Sequence, residues 1–492
     1  MLKPITRIVG RGLLCALAIA LLLFSPASPA RARTSPAIDV QAVDAYLRAQ
    51  VKGNRLPGLA VTVVQGGRVA FLQGYGKAAP GRPVTPQTQF YLGSVSKSFT
   101  ALAVMQLVEE GKLELDAPVQ RYLPSFCVAD AQASGRITVR HLLNQTSGLS
   151  PAGDPGAADY APTLAEEVRS LQKAHLTAPV GGTFQYFNQN YRVLGLLIEQ
   201  VSGQPYGDYL RTHILSPLAM GHTVTGPADA PALAQGHGQA FGFSLPRPQA
   251  FQPAALPSGY IISSAEDMGH YLLALLDGAR YEGRQVVQPA TLAQMFTPPA
   301  GTGSSYGMGW MATETTEGER VLYHDGALEN YYSMVMLFPE RDLGFCLLIN
   351  RNSLFQQIAA ASPLAVGLAN VLVGDPPPPA RLPAWLPFLL IPLAAADLLN
   401  HLRLFRQLPR WAAQPRARRW LQALVEVLFA LALLGLPVIA GAVKGEGANW
   451  AEMYGLFPDV TGWILAGAAL DLARGVAGMI LMARRKALSV AA

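Results

Sequence analysis

The sequence predicts an α+β domain followed by a helical, strongly apolar C-terminal region. Three observations carry this: β-rich runs at both ends of the domain, helical patterns between them, and an abrupt change of composition after residue 374. "GLAVTVVQGGRVAFLQGYG" (58–76) is two β-rich runs around Gly66-Gly67, which is the pattern of a hairpin. Near the end of the domain, "YGMGWMA", "RVLYHDG", "YYSMVMLF" and "LGFCLLIN" are four further short runs, and a helical run over 354–372 closes it. Two strands at the start and several at the end predict one antiparallel sheet built from both ends, with helices packed around it.

The whole chain sets the setting. Its 492 residues are 50% hydrophobic and only 14% charged, a balance that points to membrane segments. The net charge of +6 is modest and unevenly placed, so no nucleic-acid surface is expected. Lys3, Arg7 and Arg11 precede the apolar "LLCALAIALLLF" (13–24) and the small-residue "SPASPARA", the order of an export signal. Residues 1–32 are therefore expected to be a signal peptide cut after Ala30 or Ala32, with an uncleaved anchor as the alternative. Cys127 and Cys346 are too far apart in sequence to be a disulfide framework and have no metal-ligand spacing around them; both are expected to be buried. No metal and no cofactor is expected.

Residues 33–374 read as the soluble domain, and "DPPPPA" begins a stiff linker over 375–381. Residues 382–492 are expected to hold about three transmembrane helices, near 384–404, 420–443 and 460–482. The first is interrupted by prolines, which leaves a re-entrant or interfacial segment open. The loop 401–419 carries arginines and no acid, while 442–459 carries more acid than base. The positive-inside rule then puts 401–419 and the C-terminus in the cytoplasm and the soluble domain outside. Asp397, Glu426, Asp471 and Arg474 fall within the expected spans, where ionisable groups need partners. Arg474 either pairs locally with Asp471 at i+3 or bridges acids of different spans.

The chemistry starts at "YLGSVSKSFT" (91–100), where Ser94 and Lys97 stand at i and i+3 at the mouth of an apolar helical run. A serine hydroxyl needs a neighbouring base to act as a nucleophile, and a crowded, partly desolvated amine is pushed toward the neutral form that can serve. The spacing alone is weak, since Ser170 and Lys173 repeat it within "LAEEVRSLQKAH", where a solvated helix face is expected. Two rarer patterns accompany the first copy. Of 17 tyrosines only Tyr186 begins Tyr-x-Asn, with Asn188, and His324-Asp325-Gly326 is a single His-x-Gly on a run expected to form a sheet edge.

With these motifs, and with "ITVRHLLNQTSGLS" (137–150), "NYRVLGLLIEQVSGQPYGDYL" (190–210), "PSGYIISSAEDM" (257–268) and "YGMGWMA" (306–312), the chain resembles the class C β-lactamase-related serine hydrolases of the β-lactamase and penicillin-binding superfamily over about 50–372. The resemblance implies a β-lactamase/transpeptidase-like fold, with the site between the sheet and a helical lobe. It also implies Ser94 as the acylating nucleophile and Lys97 and Tyr186 as the groups that move its proton. Asn188, His324 and Gly326 would bind substrate, and the backbone N–H groups of Ser94 and Ala327 would form an oxyanion hole. β-Lactamases of this family carry Lys-Thr-Gly where this chain has His324-Asp325-Gly326. An aspartate facing the site would repel a substrate carboxylate, so efficient β-lactam hydrolysis is not expected. The leading reading is a membrane-anchored extracytoplasmic serine hydrolase acting on a small-molecule or peptide ester or amide. The alternatives are a penicillin-binding carboxypeptidase or β-lactamase, and a non-catalytic membrane sensor or scaffold.

Overall fold

The computed structural model describes residues 37–154, 161–357, 361–378, 385–408, 424, 428, 434–435 and 458–490. The elements that position the site are ten strands and eight helices. The strands are β1 (Gly58–Gln65), β2 (Arg68–Ala79), β3 (Arg82–Pro83), β4 (His237–Ala240), β5 (Phe243–Pro246), β6 (Met311–Glu314), β7 (Arg320–Ala327), β8 (Tyr332–Phe338), β9 (Leu343–Ile349) and β10 (Arg351–Asn352). The helices are α1 (Val40–Gly53), α2 (Ser96–Glu109), α3 (Leu164–Ser170), α4 (Asn188–Ser202), α5 (Ala265–Leu276), α6 (Ser362–Val373), α7 (Leu390–Arg406) and α8 (Pro458–Val490).

The main sheet has the order β6-β7-β8-β9-β1-β2-β3, with the named strands antiparallel throughout. It is built from both ends of the domain, as the runs of β-forming residues predict. Gly66 and Gly67 both take positive φ, +61° and +70°, which is what a tight two-residue hairpin needs. β1 and β9 are apolar at nearly every position because helices cover both faces of the sheet there. Leu59, Val61 and Val63 face α1 and α6, in one cluster with Val43, Leu47, Leu364 and Leu368. Ala60 and Val64 face the other way, toward the cluster that holds α2, α4 and α5. Cys346 is buried in this second cluster and Cys127 is partly buried, both as free thiols.

One expectation needs correction. The His-x-Gly strand, β7, is not the sheet edge; β6 lies outside it. β6 is only four residues long, however, and pairs with Tyr323 through Arg320. His324–Ala327 run on beyond it, so the functional stretch gains an open flank because its neighbour stops short. The helical lobe comes up against that flank.

The expected signal peptide lies outside the described residues, as does most of the expected span 420–443. Two described helical stretches are long and apolar enough to cross a membrane, Leu386–Arg406 and Pro458–Gly478. Pro392 does not break the first, because it stands in the first turn of α7, where its missing N–H has no intrahelical partner to lose. α7 and α8 run parallel: the Trp463 indole donates to Asp397 Oδ2 (3.0 Å), and further along both helices His401 Nε2 meets Asp471 Oδ1 (3.1 Å). Arg474 lies 3.6 Å from Asp471, the local i,i+3 contact. Glu426 lies outside the described residues. The cross-helix contacts thus involve His401 and Trp463, which sequence reading had not singled out.

Candidate active site

Ser94 sits in a single 3₁₀ turn, Gly93–Val95, that runs directly into α2. That continuity places Lys97 one turn on, on the same side, with its Nζ 3.1 Å from Ser94 Oγ. The Tyr186 hydroxyl donates to the same Oγ at 2.7 Å. One serine oxygen is therefore in hydrogen-bond reach of both expected proton carriers. The neighbouring serines do structural work: Ser96 Oγ accepts from the Ile261 N–H, and Ser98 Oγ bonds Val95 O. Ser170 and Lys173 are exposed, and the Ser170 hydroxyl donates to Glu167 O in its own helix.

Lys97 is completely buried. Its Nζ donates to Asn188 Oδ1 (2.7 Å) and to the Ser258 carbonyl (2.6 Å). Burial pushes its pKa well below the ordinary 10.5, and the Arg192 guanidinium pushes it the same way, while Asp325 opposes them. The cause is thus desolvation plus a second buried cation. In the neutral amine, the two N–H bonds are engaged by Asn188 and Ser258, and the lone pair is left on the Ser94 side.

Arg192, on α4, forms a buried ion pair with Glu167 of α3, and its Nε approaches Ser258 Oγ at 3.4 Å. Ser258 belongs to "PSGYIISS", one of the segments that carry the resemblance, and its carbonyl is a partner of Lys97. Sequence pattern alone points to neither Ser258 nor the Arg192–Glu167 pair as part of the site. Their signal is a backbone atom and a burial pattern, and neither is written in residue spacing.

The open flank of β7 closes onto the serine turn through two glycines. A methyl group at Gly93, which has φ +52°, would lie 2.6 Å from the Ala327 nitrogen. One at Gly326 would lie 1.9 Å from Leu92 O. Only bare backbone allows this approach, and it brings the Ala327 amide against the turn that carries the Ser94 amide. Ser333 of β8 supports the contact by donating to Leu92 O (2.5 Å).

His324 is 3% exposed, with Nε2 3.2 Å from the Tyr306 hydroxyl and Nδ1 2.6 Å from Asp325 O. Burial holds its pKa well below the usual imidazole value, against the opposing pull of the Asp325 carboxylate, so the ring is neutral at pH 7. Asp325 does not face the site. Its cross-strand partner Met334 and its neighbours Tyr323 and Ala327 all pack toward α1 and α6, whereas Gly326 faces Ser333 and the serine turn. Asp325 is therefore not placed to repel a substrate carboxylate, contrary to expectation. At this point the strand presents a buried, neutral histidine rather than a cation.

Comparison with known proteins places the fold. A curated relative, Protein flp of Staphylococcus aureus, is 29% identical over 321 residues, 64% of this chain and 63% of that protein. The unguisins hydrolase ungD' of Aspergillus campestris is 31% identical over 340 residues, 64% of this chain and 62% of its own. The chain thus spans less than two thirds of these relatives. Among solved structures, the octameric penicillin-binding protein homologue from Pyrococcus abyssi superposes with a TM-score of 0.59 at 27% identity, over 69% of this chain and 78% of that one. A structure described as SurE gives 0.58 at 25% identity, over 68% and 76%. The Beta-lactamase family matches residues 43–366, which is more than half of the sequence and takes in every residue of the site. The chain belongs to the Beta-lactamase family.

Proposed function

We propose that this protein is a membrane-anchored, extracytoplasmic serine hydrolase that cleaves an ester or amide through an acyl-enzyme on Ser94. One observation carries the proposal: Ser94 Oγ lies within hydrogen-bond reach of both Tyr186 and a fully buried Lys97 whose proton affinity is lowered. Ser94 Oγ attacks the substrate carbonyl carbon and gives its proton to the neutral Lys97 amine. The carbonyl π electrons move to oxygen, and that oxyanion is held by the N–H groups of Ser94 and Ala327. Collapse expels the alcohol or amine, which takes a proton from the Lys97–Tyr186 pair. Water then repeats the sequence on the acyl-enzyme, releasing the acid and restoring Ser94. Asn188 holds Lys97 in register and, being exposed, offers its amide to substrate.

The family match and the relative named as a hydrolase support this reaction class. Neutral His324 favours neutral esters and amides over substrates bearing a carboxylate at that point. The test is paired labelling of the full-length protein with a fluorophosphonate and a fluorescent penicillin. Strong fluorophosphonate labelling that Ser94→Ala abolishes, with weak penicillin labelling, is the expected outcome. Labelling that survives in Ser94→Ala ends the proposal.

Membrane anchoring rests on the two apolar stretches, and orientation on the charge pattern around them. The parallel course of α7 and α8 adds support, because both then run inward from the same side. The signal-like N-terminus fits an extracytoplasmic domain. Protease protection in sealed vesicles, with the domain cleavable only from outside, tests the orientation.

A further inference from the structure

The β4–β5 hairpin is where the hydrolase domain meets both apolar helices. Its turn, Phe241-Gly242, takes positive φ at both residues, so the hairpin is tight, and the turn packs against Phe388 and Asp459. Phe243 and Leu245 stand two apart on β5 and share one face, 54% and 51% exposed. Ser244, on the other face, accepts from Arg351 (3.0 Å) and ties the strand to the domain. The Phe243 ring meets Phe388 edge-on at 5.2 Å, at the start of the first apolar stretch. The Phe241 N–H donates to Asp459 Oδ2 (2.8 Å), at the start of the second. Both helices thus begin at this hairpin.

We propose that the β4–β5 hairpin is a lipid-contacting foot, with Phe243 and Leu245 inserted into the outer interface of the bilayer beside the two helices. This rests on the membrane reading above. The reason for choosing lipid is continuity. The Phe243–Phe388 contact joins the exposed face of the hairpin to the first apolar stretch, whose Leu393 and Leu399 are exposed as well, and a bilayer covers both at once. Trp385 is exposed at the same level, an aromatic where interfacial anchors collect. Arg55 lies 4.9 Å above the Phe388 ring, a cation at the height of phosphate headgroups. The foot has a consequence for the site. β5 leads into Arg247, which pairs with Glu329, two residues beyond Ala327, so the cleft rim is tied to the membrane surface.

The test uses full-length protein in nanodiscs of phosphatidylethanolamine and phosphatidylglycerol, in a background with Cys15→Ala and Cys127→Ala. A nitroxide is placed in turn at Phe243→Cys, Leu245→Cys, Leu399→Cys and Glu282→Cys, all four exposed positions. Collision with oxygen reports lipid, and collision with a water-soluble nickel chelate reports solvent. Leu399 lies thirteen residues past Leu386, about 20 Å along the helix, and reads the membrane itself. The expected result is oxygen-dominated collision at 243, 245 and 399 and nickel-dominated collision at 282. Lipid at 399 with nickel access at 243 and 245 overturns the foot and leaves the membrane reading intact. Exclusion of both probes at 243 and 245 means that protein, a second copy or a partner, covers the patch, and also overturns it. Nickel access at 399 removes the membrane reading and the foot with it.

Discussion

At the residue scale, Lys97 decides what Ser94 can do. Because burial and Arg192 lower its pKa below the ordinary 10.5, the neutral, proton-accepting form is populated well below that pH. The sign follows directly: as pH falls through the folded pKa the amine takes up a proton and acylation is lost. As pH rises it is regained. We expect kcat/KM for a nitrophenyl ester to show an acidic limb far below 10.5, and a limb near 10.5 would contradict the assignment. Ser94→Ala should lower kcat by roughly 10³-fold or more, while Ser170→Ala should leave it unchanged. Short-chain nitrophenyl esters should turn over and nitrocefin should turn over slowly or not at all. His324→Lys should raise penicillin acylation, and Asp325→Thr should not, since Asp325 faces the other side of β7. A gain from Asp325→Thr alone would show that this facing has been misjudged.

At the element scale, two contacts hold the cleft together. α3 and α4 are joined by the Glu167–Arg192 pair, both partners buried. Arg192→Leu strands a buried carboxylate and is expected to cost about 3–5 kcal/mol of stability. Replacing both residues by leucine should return most of that loss in a denaturant titration of the full chain in detergent. If the single and double variants are equally unstable, packing rather than charge is what the pair supplies. The second contact is the meeting of β7 with the serine turn. Gly326→Ala puts a methyl group into Leu92 O and must push the strand away, moving the Ala327 amide. A loss of about 10²–10³ in kcat is expected, on the scale of removing one oxyanion donor. Unchanged kcat with an intact fold would separate Ala327 from the chemistry.

On the scale of the whole molecule, the two apolar helices α7 and α8 are joined by polar contacts. The His401–Asp471 pair should show a positive coupling of roughly 0.6–1.7 kcal/mol in a double-mutant cycle read by unfolding in detergent. Zero coupling would mean that packing alone sets the parallel pair. Fluorophosphonate labelling at Ser94 should be unaffected in these variants, because the site is complete within the soluble domain.

Much of this was legible because it is written in local pattern. Alternation and the Gly66-Gly67 pair fix the hairpin and hence a sheet made from both ends. The spacing of Ser94 and Lys97 fixes their shared face, and Tyr186, Asn188 and the His-x-Gly identify where their partners come from. The facing of Asp325, the burial that lowers Lys97, the Ser258 carbonyl and the Arg192–Glu167 pair were not legible. Each depends on which distant element lies opposite, and residue order does not encode that. The clearest case is β7. Its sequence marks it as functional, but its open flank exists because β6 begins only at Met311, opposite Tyr323, and leaves His324–Ala327 without a strand partner on that side. Local sterics and periodicity act within a few residues and are settled by the sequence, whereas desolvation and facing are set by neighbours far along the chain and are decided only by the tertiary structure.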